Sequence, residues 1–463
     1  MDKEQVRDAL RRIVGKDNVL WKDVDVVVYS YDAGLAKGRA DLVAFVENSD
    51  QVAQIVSLLY REGISYVARG SGTNLSGGTV LMDGGVVIEF SRMNHILEID
   101  IENERVVVEP GIYNLAVQNA LAEKGYYYAP DPASQKACSL GGNFGENAGG
   151  PHCLKYGVTS NHMLGAEIVL PNGQKTWIGG KALDPPGPDL MGLLVGSEGT
   201  LGIVTKIVCR IMRSPERVIT MLAIFNSVEA AGQTVSDIIA EGIIPATLEI
   251  MDNVVIRAVE DSMHAGYPLD AEAVLLIELD GLTNGMDEQA KRITEVCEKD
   301  GATSYRLAKD ANERNSLWAG RRGAFGAVAR VRPAYLVCDA TVPRTQLPKA
   351  LSEVKRISEK YRLPIGNVFH AGDGNLHPLI MFDDRDADEL ARVHKAGSEI
   401  MKVCIDLGGT ISGEHGIGSQ KLSEMPLVFK KGDIGMMRGI KEAMDPKGLC
   451  NPGKVIPKEE ARP

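Results

Sequence analysis

Apolar residues near the N-terminus recur at the spacing of an amphipathic helix. Val52, Ile55 and Leu59 fall on one face of a helix that Asn48 can cap and Gly63 can end. Shorter apolar runs follow, and these are typical of buried strands. The pattern predicts strands at 65–69, 86–90, 96–100 and 105–109, and further helices at 2–14 and 115–124.

The hydrophobic pattern changes near residue 215. Before this point helices and strands alternate with glycine-rich loops, whereas glycine then becomes sparse and longer periodic segments appear. Helical periodicity is clear at 293–299, 347–361 and 388–407. The mixture predicts an α+β or α/β organisation with a domain boundary near 215.

Composition and charge exclude several classes of protein. The chain has 463 residues, of which 44% are hydrophobic and 24% charged, which suits two or three globular domains. Its net charge of −11 disfavours binding to nucleic acid or anionic lipid. We find no apolar run as long as a signal peptide or a membrane span, so we expect a cytoplasmic protein without an integral membrane segment. The seven cysteines form no C-x-x-C pair, which places any iron–sulfur relay in another chain.

Glycine is concentrated in three segments, at residues 69–78, 139–150 and 196–205. The first follows a predicted strand, and its glycines allow the close backbone approach that a pyrophosphate requires. Its spacing differs from both standard phosphate motifs, because Leu75 stands at the last glycine position of G-x-G-x-x-G and no Gly-Lys-Ser/Thr follows. Taken alone, this segment is equally compatible with a flexible surface loop.

Three of the eight histidines lie in two glycine-rich motifs of the second half of the chain. A two-residue hairpin turn at residues 373–374 would place His370 directly opposite His377, with Cβ atoms roughly 5 Å apart. Two imidazoles at that separation suit one divalent metal, and Glu414 is the best candidate for a third ligand. His415 follows Glu414 and would point in a different direction, which leaves it available as a general base.

Other interpretations of these residues stay open. Histidines in tight turns often only satisfy backbone groups, and the ligand set would suit zinc, manganese or ferrous iron. Arg321 and Arg322 follow Trp318 in a helical segment, where one of them could clamp a substrate carboxylate or both could be solvated. We interpret the remaining histidines as surface or structural residues: His95, His152, His162, His264 and His394.

Further motifs follow in order along the second half. They are Trp318-Ala-Gly-Arg321, Cys338-Asp-Ala-Thr-Val-Pro343, Asn367-Val-Phe-His-Ala-Gly-Asp-Gly-Asn-Leu-His-Pro378, Ser412-Gly-Glu-His-Gly-Ile-Gly418 and Asn451-Pro-Gly-Lys454. The three glycine segments resemble the FAD-binding domain of the vanillyl-alcohol-oxidase flavoprotein family. With the later motifs, nearly the whole chain resembles the branch of that family formed by FAD-linked D-lactate dehydrogenases and glycolate oxidase catalytic subunits.

The resemblance implies an α+β fold of two domains. Residues 1–215 would form the FAD-binding domain, residues 216–440 a substrate or cap domain with an antiparallel sheet over the flavin ring, and residues 441–463 a tail that returns to the first domain. The FAD contacts that the resemblance implies are Arg69, Gly70, Ser71, Gly72, Thr73, Asn74, Gly77, Gly78, Pro130, Ser139, Gly142, Asn147, Gly149, Glu198, Gly199, Ile203 and Asn451.

The resemblance also implies a reaction. A small D-2-hydroxy acid, D-lactate or glycolate, would be oxidised to the 2-keto acid by hydride transfer to flavin N5, while His415 removes the hydroxyl proton. One divalent metal held by His370, His377 and Glu414 would orient the acid together with Arg321. Two alternatives stay open. One is a FAD oxidoreductase of the same fold for another substrate, such as D-2-hydroxyglutarate, and the other is an electron-relay flavoprotein subunit without substrate turnover.

Three finer expectations concern the cofactor, the electron acceptor and the substrate. We expect non-covalent FAD, because residues 69–78 contain no histidine or cysteine, although Cys138 lies just before the second glycine segment. An electron-transferring flavoprotein or an iron–sulfur subunit is the expected acceptor by the resemblance. Relatives that oxidise D-2-hydroxyglutarate place a lysine two residues before the position of Asp339, where this chain has Val337, and this difference favours a short monocarboxylate.

Overall fold

The structure, a computed structural model, describes residues 1–182 and 186–458. Its helices are α1 (Lys3–Val14), α2 (Asp23–Val26), α3 (Ser49–Glu62), α4 (Asn114–Ala122), α5 (Leu140–Glu146), α6 (Cys153–Tyr156), α7 (Leu190–Leu194), α8 (Val228–Ala240), α9 (Asn253–Met263), α10 (Met286–Lys299), α11 (Ala311–Val328), α12 (Leu347–Tyr361), α13 (Ala387–Asp406), α14 (Met425–Val428) and α15 (Lys431–Met444). Among these described residues, no helix combines the length and the apolar character needed to cross a bilayer.

The strands are short, and most of them lie in three sheets. They are β1 (Val19–Leu20), β2 (Leu42–Phe45), β3 (Tyr66–Arg69), β4 (Val86–Glu89), β5 (Ile96–Asp100), β6 (Arg105–Val108), β7 (Tyr126–Tyr127), β8 (Met163–Val169), β9 (Lys175–Gly179), β10 (Ile203–Arg210), β11 (Met212–Arg213), β12 (Arg217–Phe225), β13 (Thr247–Asp252), β14 (Ala273–Gly281), β15 (Ala302–Leu307), β16 (Ala334–Val337), β17 (Ala340–Thr341), β18 (Ile365–His370), β19 (Asn375–Leu376) and β20 (Pro378–Phe382).

The chain forms two compact units. The first contains Met1–Gly149, Gly157–Ser214 and Glu414–Pro463, and the second contains Gly150–Tyr156 and Pro215–Gly413. The last segment of the first unit therefore begins earlier in the chain than the predicted tail at 441. It does so because Ile440 and Met444 pack against the apolar core of this unit, and because the backbone N–H groups of residues 417 and 418 donate to Glu198.

In the first unit, helices pack against a small parallel sheet. β2, β4 and β3 are parallel neighbours, and β1 pairs with β2 in the antiparallel sense at the edge. α1 and α3 bury Leu10, Ile55 and Leu59 in the same apolar core. As predicted, α3 begins after Asn48, whose side chain accepts a backbone hydrogen bond, and ends at Gly63. A second, antiparallel sheet has the order β5-β6-β10-β8-β9.

The C-terminal segment extends the parallel sheet and ties two glycine segments together. The Tyr66 N–H donates to the Leu449 carbonyl at 3.0 Å, and the Asn451 N–H donates to the Tyr66 carbonyl at 2.8 Å. The Asn451 side chain donates to the carbonyl of Gly78 at 2.7 Å and to that of Glu198 at 2.6 Å. Asn451 thus holds the first and third glycine segments in a defined spacing.

The second unit is built on a large antiparallel sheet. Its order is β15-β12-β14-β13-β18-β19-β17, and β20 pairs with both β18 and β16. α9 and α11 pack Val255, Val259 and Trp318 into the apolar core beside this sheet. Every residue of β13 is buried, including the carboxylates Glu249 and Asp252, although charged side chains are rarely buried.

Candidate functional site

An open pocket lies at the glycine segments of the first unit, with about 610 Å³ of empty space including adjoining solvent. All three segments contribute to its wall, and eight predicted FAD contacts line it: Arg69, Gly70, Gly78, Ser139, Gly142, Glu198, Gly199 and Ile203. Gly70 leaves no space for a side chain, because a Cβ there would lie 2.1 Å from the Ser139 Oγ. Bare backbone therefore forms part of the wall, as a cradle for a pyrophosphate requires.

The other predicted FAD contacts lie outside this wall, and two of them hold its shape. The Asn74 Oδ1 accepts the Gly78 N–H at 3.1 Å. Asn147 ends α5 in the left-handed conformation, and its Oδ1 accepts the Ser160 N–H at 2.8 Å. The remaining ones are Ser71, Gly72, Thr73, Gly77, Pro130, Gly149 and Asn451. Direct contact of these residues with FAD stays a prediction.

Glu146 lines the pocket, although the sequence did not indicate it as a site residue. Its Oε1 accepts a hydrogen bond from the Asn74 Nδ2 at 2.9 Å, and its Oε2 is buried without a hydrogen-bond partner among the described residues. The Glu198 carboxylate lies beside it. A Cβ at Gly416 would approach both, at 2.4 Å from the Glu146 Oε2 and 2.7 Å from the Glu198 Oε1. Glycine with a positive φ of 80° is required there for the two acids to meet.

The paired acids make the pocket fit a cofactor that offers hydrogen-bond acceptors. Burial, followed by the charge of Glu198, raises the pKa of Glu146 well above its usual value of 4.5. A protonated carboxyl can donate a hydrogen bond, and Glu146 is one of the residues that line the pocket. Glycine backbone for phosphates and a buried acid for a ring or ribose acceptor together suit FAD.

The raised pKa of Glu146 predicts a pH dependence of stability. The folded state favours the protonated form of Glu146. The contribution of this residue to the free energy of unfolding is therefore complete below pH 4.5, and it is lost as the pH rises through the raised pKa. The charges of Glu198 and Asp32 also raise the pKa of Glu146, whereas the hydrogen bond from Asn74 and the charge of Lys421 lower it. Glu146→Gln keeps a neutral group of the same size, so we expect its melting temperature to rise relative to wild type as the pH increases.

The measurement is the melting temperature of both FAD-loaded proteins between pH 5 and pH 9. Glu123→Gln, at an exposed position after α4, is the matched control and should follow the wild type at every pH. A difference between Glu146→Gln and wild type that stays constant with pH would contradict the prediction.

The second unit brings Arg321 and His370 to one carboxylate, that of Glu249. The Arg321 Nε donates to the Glu249 Oε2 at 2.7 Å, and its Nη2 lies 2.6 Å from the same oxygen. The His370 Nδ1 lies 2.8 Å from the Oε1. Burial alone would raise the pKa of Glu249, but His370 and Arg321 outweigh it and hold this pKa below its usual value. Arg322 is exposed instead, over the ring of Trp318.

The two hairpin histidines lie close together, although the predicted register is wrong. Their ring centroids are 5.1 Å apart and the rings are nearly perpendicular. β18 places His370 opposite Asn375, so the hairpin loop has four residues and not two. Gly374 in this loop has a φ of 79°, and a Cβ there would lie 2.1 Å from the Val342 carbonyl oxygen. The shift is by two residues, which keeps both histidines on the same face of the sheet.

Asp339 adds a buried carboxylate to the histidine pair. Its Oδ1 lies 3.6 Å from the His377 Nε2 and accepts the Gly413 N–H at 3.0 Å, and its Oδ2 accepts the Ser412 hydroxyl at 2.6 Å. The Asp339 oxygens already accept from Gly413 and Ser412, so it is the two buried imidazoles that offer the type of donor divalent transition metals prefer, and this pair fits a metal.

Glu414 and His415 follow Gly413 in the chain and belong to the first unit. The Glu414 Oε1 lies 3.8 Å from the His415 Nε2, and the His415 carbonyl accepts the Ser76 hydroxyl at 2.8 Å. Their roles as metal ligand and general base stay predictions.

Comparisons with known proteins match two family models to long segments of the chain. The family described as "FAD binding domain" matches residues 40–179, and that described as "FAD linked oxidases, C-terminal domain" matches residues 214–455. The glycolate oxidase subunit GlcD of Escherichia coli K12 is 46% identical over 99% of this chain and 92% of the relative. GlcD of Bacillus subtilis is 43% identical over 98% of this chain and 97% of the relative. A probable mitochondrial D-lactate dehydrogenase of Danio rerio is 31% identical over 98% and 92%.

Solved structures with the same fold have little sequence in common with this chain. p-Cresol methylhydroxylase superposes with a TM-score of 0.84 at 18% identity, over 99% of this chain and 98% of that one. 4-Ethylphenol oxidase from Gulosibacter chungangensis superposes with a TM-score of 0.82 at 18% identity, over 98% of this chain and 97% of that one. The predicted α+β fold of the vanillyl-alcohol-oxidase type is therefore confirmed.

Proposed function

We propose, from the premise that this chain belongs to the family of FAD-linked oxidases, that it oxidises a small D-2-hydroxy acid to the 2-keto acid. The observation that carries this proposal is the contact of one buried carboxylate, that of Glu249, with both Arg321 and His370. An arginine beside paired histidines suits a substrate with an adjacent carboxylate and hydroxyl. The names of the curated relatives refer to glycolate and to D-lactate, both of which are such acids.

The residues of this chain would share the reaction as follows. Bound FAD supplies the acceptor for the hydride that leaves C2 of the substrate. Arg321 binds the substrate carboxylate. It has N–H groups left for this contact, because Glu249 occupies only part of its guanidinium. His370 and His377, with Glu414 as the third ligand, would hold one divalent metal, which would supply polarisation of the hydroxyl. His415 accepts the hydroxyl proton on an imidazole nitrogen.

The FAD in this proposal is bound without a covalent link. Residues 69–78 contain no histidine or cysteine, and Cys138 is buried outside the pocket wall. Burial raises the pKa of the Cys138 thiol, which disfavours the reactive thiolate.

We also propose that the electrons leave through a separate protein of the cytoplasm. An electron-transferring flavoprotein or an iron–sulfur subunit fits, because the sequence has neither a C-x-x-C pair nor a nicotinamide-binding fingerprint. The name of the E. coli relative, a glycolate oxidase subunit, agrees with an assembly of that kind.

Reduction of the bound flavin by D-lactate or glycolate in the absence of oxygen tests this function. We expect rapid loss of the visible flavin absorbance with these acids and a poor reaction with L-lactate, whose C2 hydrogen would point away from the flavin. If none of these acids bleaches the flavin, the alternative of an electron-relay subunit is favoured.

The same experiment predicts a preference for short acids over D-2-hydroxyglutarate. Val337 stands where a lysine would pair with a second carboxylate, and the Phe325 ring lies 6.2 Å from that of His377. Burying an unpartnered carboxylate costs at least about 1–3 kcal/mol, so kcat/KM should favour D-lactate by roughly 5- to 150-fold. Faster oxidation of D-2-hydroxyglutarate would contradict this, and would direct attention to Arg344, whose Nη1 donates to the Gly372 carbonyl.

A further inference from the structure

Glu249 is a fully buried carboxylate in the large sheet of the second unit. It lies on β13 directly opposite His370 of β18, and α11 supplies Arg321. All three residues are at most 4% exposed. A buried carboxylate is stable only when it is paired and hydrogen-bonded, and here one arginine and one imidazole provide both of its partners.

The contact with His370 selects one of the two ring nitrogens for metal binding. The His370 Nδ1 lies 2.8 Å from the Glu249 Oε1, and because a carboxylate oxygen only accepts, this contact places a proton on Nδ1. The lone pair of that ring is then on Nε2, the nitrogen available to a metal. A carboxylate in this position also raises the basicity of the ligand and limits rotation of the ring.

The contact with Arg321 orients the guanidinium. Because both Nε and Nη2 approach the Glu249 Oε2, the plane of the guanidinium is set and the Nη1 donors are left for another carboxylate. Resting on the proposed function, we infer that Glu249 is the positioning residue that presents His370 to the metal and Arg321 to the substrate carboxylate at the same time. One side chain thus couples metal binding to substrate binding.

Glu278 is a matched control for this role. It is equally buried, lies on the adjacent strand β14, and accepts two hydrogen bonds from Arg314 at 2.9 and 2.8 Å. Its other partners are Thr220, Trp318 and His152, none of which is a proposed ligand. Replacing it by glutamine disturbs a buried carboxylate and arginine pair without changing the carboxylate that contacts His370.

The test compares Glu249→Gln and Glu278→Gln in the FAD-loaded enzyme. The amide carries no negative charge, and its NH₂ group cannot accept from either partner, so the contacts of residue 249 with Arg321 and His370 are both weakened in the first variant. We expect the dissociation constant for Mn²⁺, measured by competition with a chelating dye, to rise about 10- to 100-fold in Glu249→Gln. The KM for D-lactate should rise as well, because Arg321 loses its orientation. Glu278→Gln should match the wild type in both measurements.

Each outcome bears on a different claim. A wild-type enzyme that oxidises D-lactate but binds no Mn²⁺, Zn²⁺ or Fe²⁺ would refute the metal site of the proposed function. Tight binding by wild type and equally tight binding by Glu249→Gln would overturn the inference alone, as would the same loss in both variants. If Glu249→Gln does not retain FAD, Glu249→Asp takes its place, because it keeps the charge and shortens the reach by one methylene. An unchanged dissociation constant in Glu249→Asp would also overturn the inference.

Discussion

Replacing His415 by asparagine is expected to lower kcat for D-lactate by about 10²- to 10⁴-fold, because the hydroxyl proton loses its acceptor in the transition state. That loss corresponds to about 3–5 kcal/mol in the barrier. FAD binding should be retained. The Ser76 hydroxyl donates to the His415 carbonyl, a main-chain contact that the substitution does not remove.

Rapid mixing of the anaerobic enzyme with D-lactate measures this step directly, as the rate of flavin bleaching at saturating substrate. His394→Asn, at an exposed position of α13, is the control for a histidine with no proposed role and should bleach at the wild-type rate. A His415→Asn enzyme within about tenfold of wild type would be too active for a missing general base.

Removing His377 is expected to abolish both metal binding and turnover. The residue is 1% exposed and its ring lies against the ring of His370, so alanine would remove one of the proposed ligands from a buried site. We expect affinity for the metal to fall by more than about 100-fold, beyond the usual effect of changing a residue that only supports a ligand. Activity with D-lactate should fall with it, while the FAD pocket of the first unit keeps its cofactor.

Elemental analysis and D-lactate turnover of His377→Ala, measured on the same sample, check this expectation. His152→Ala removes another largely buried histidine of the second unit, one that stacks on Trp318, and should keep the metal. Treatment of wild type with a chelator should reproduce the His377→Ala phenotype without release of FAD. Full activity of His377→Ala, or active wild type without a stoichiometric metal, would eliminate the site.

Local elements followed from the sequence because their causes are local. α12 occupies Leu347–Tyr361 and β5 occupies Ile96–Asp100, the residues that their apolar periodicity predicted. α3 begins and ends at the predicted cap and glycine. The glycine segments likewise predicted the pocket of the first unit, since close backbone approach depends on glycine wherever the chain folds.

The hairpin of the two histidines shows where local reasoning stopped. The Asp-Gly pair predicted a two-residue turn, which is the commonest hairpin connection for this dipeptide. The structure has a four-residue loop instead, in which Gly374 lies close to the Val342 carbonyl. The register therefore depended on a neighbouring segment. The pairing of the histidines survived, because the side-chain period of a strand is two and the shift was also two.

By itself, the sequence determined the family, the α+β fold, the glycine-lined pocket and the candidate chemistry of His370, His377 and Arg321. Only the tertiary structure revealed Glu249, which lies 72 residues from Arg321 and 121 residues from His370 in the chain. It also revealed the acid pair at the pocket. The reason is physical: a buried carboxylate is stable only with partners, and partners from distant strands and helices leave no periodicity or spacing in the sequence.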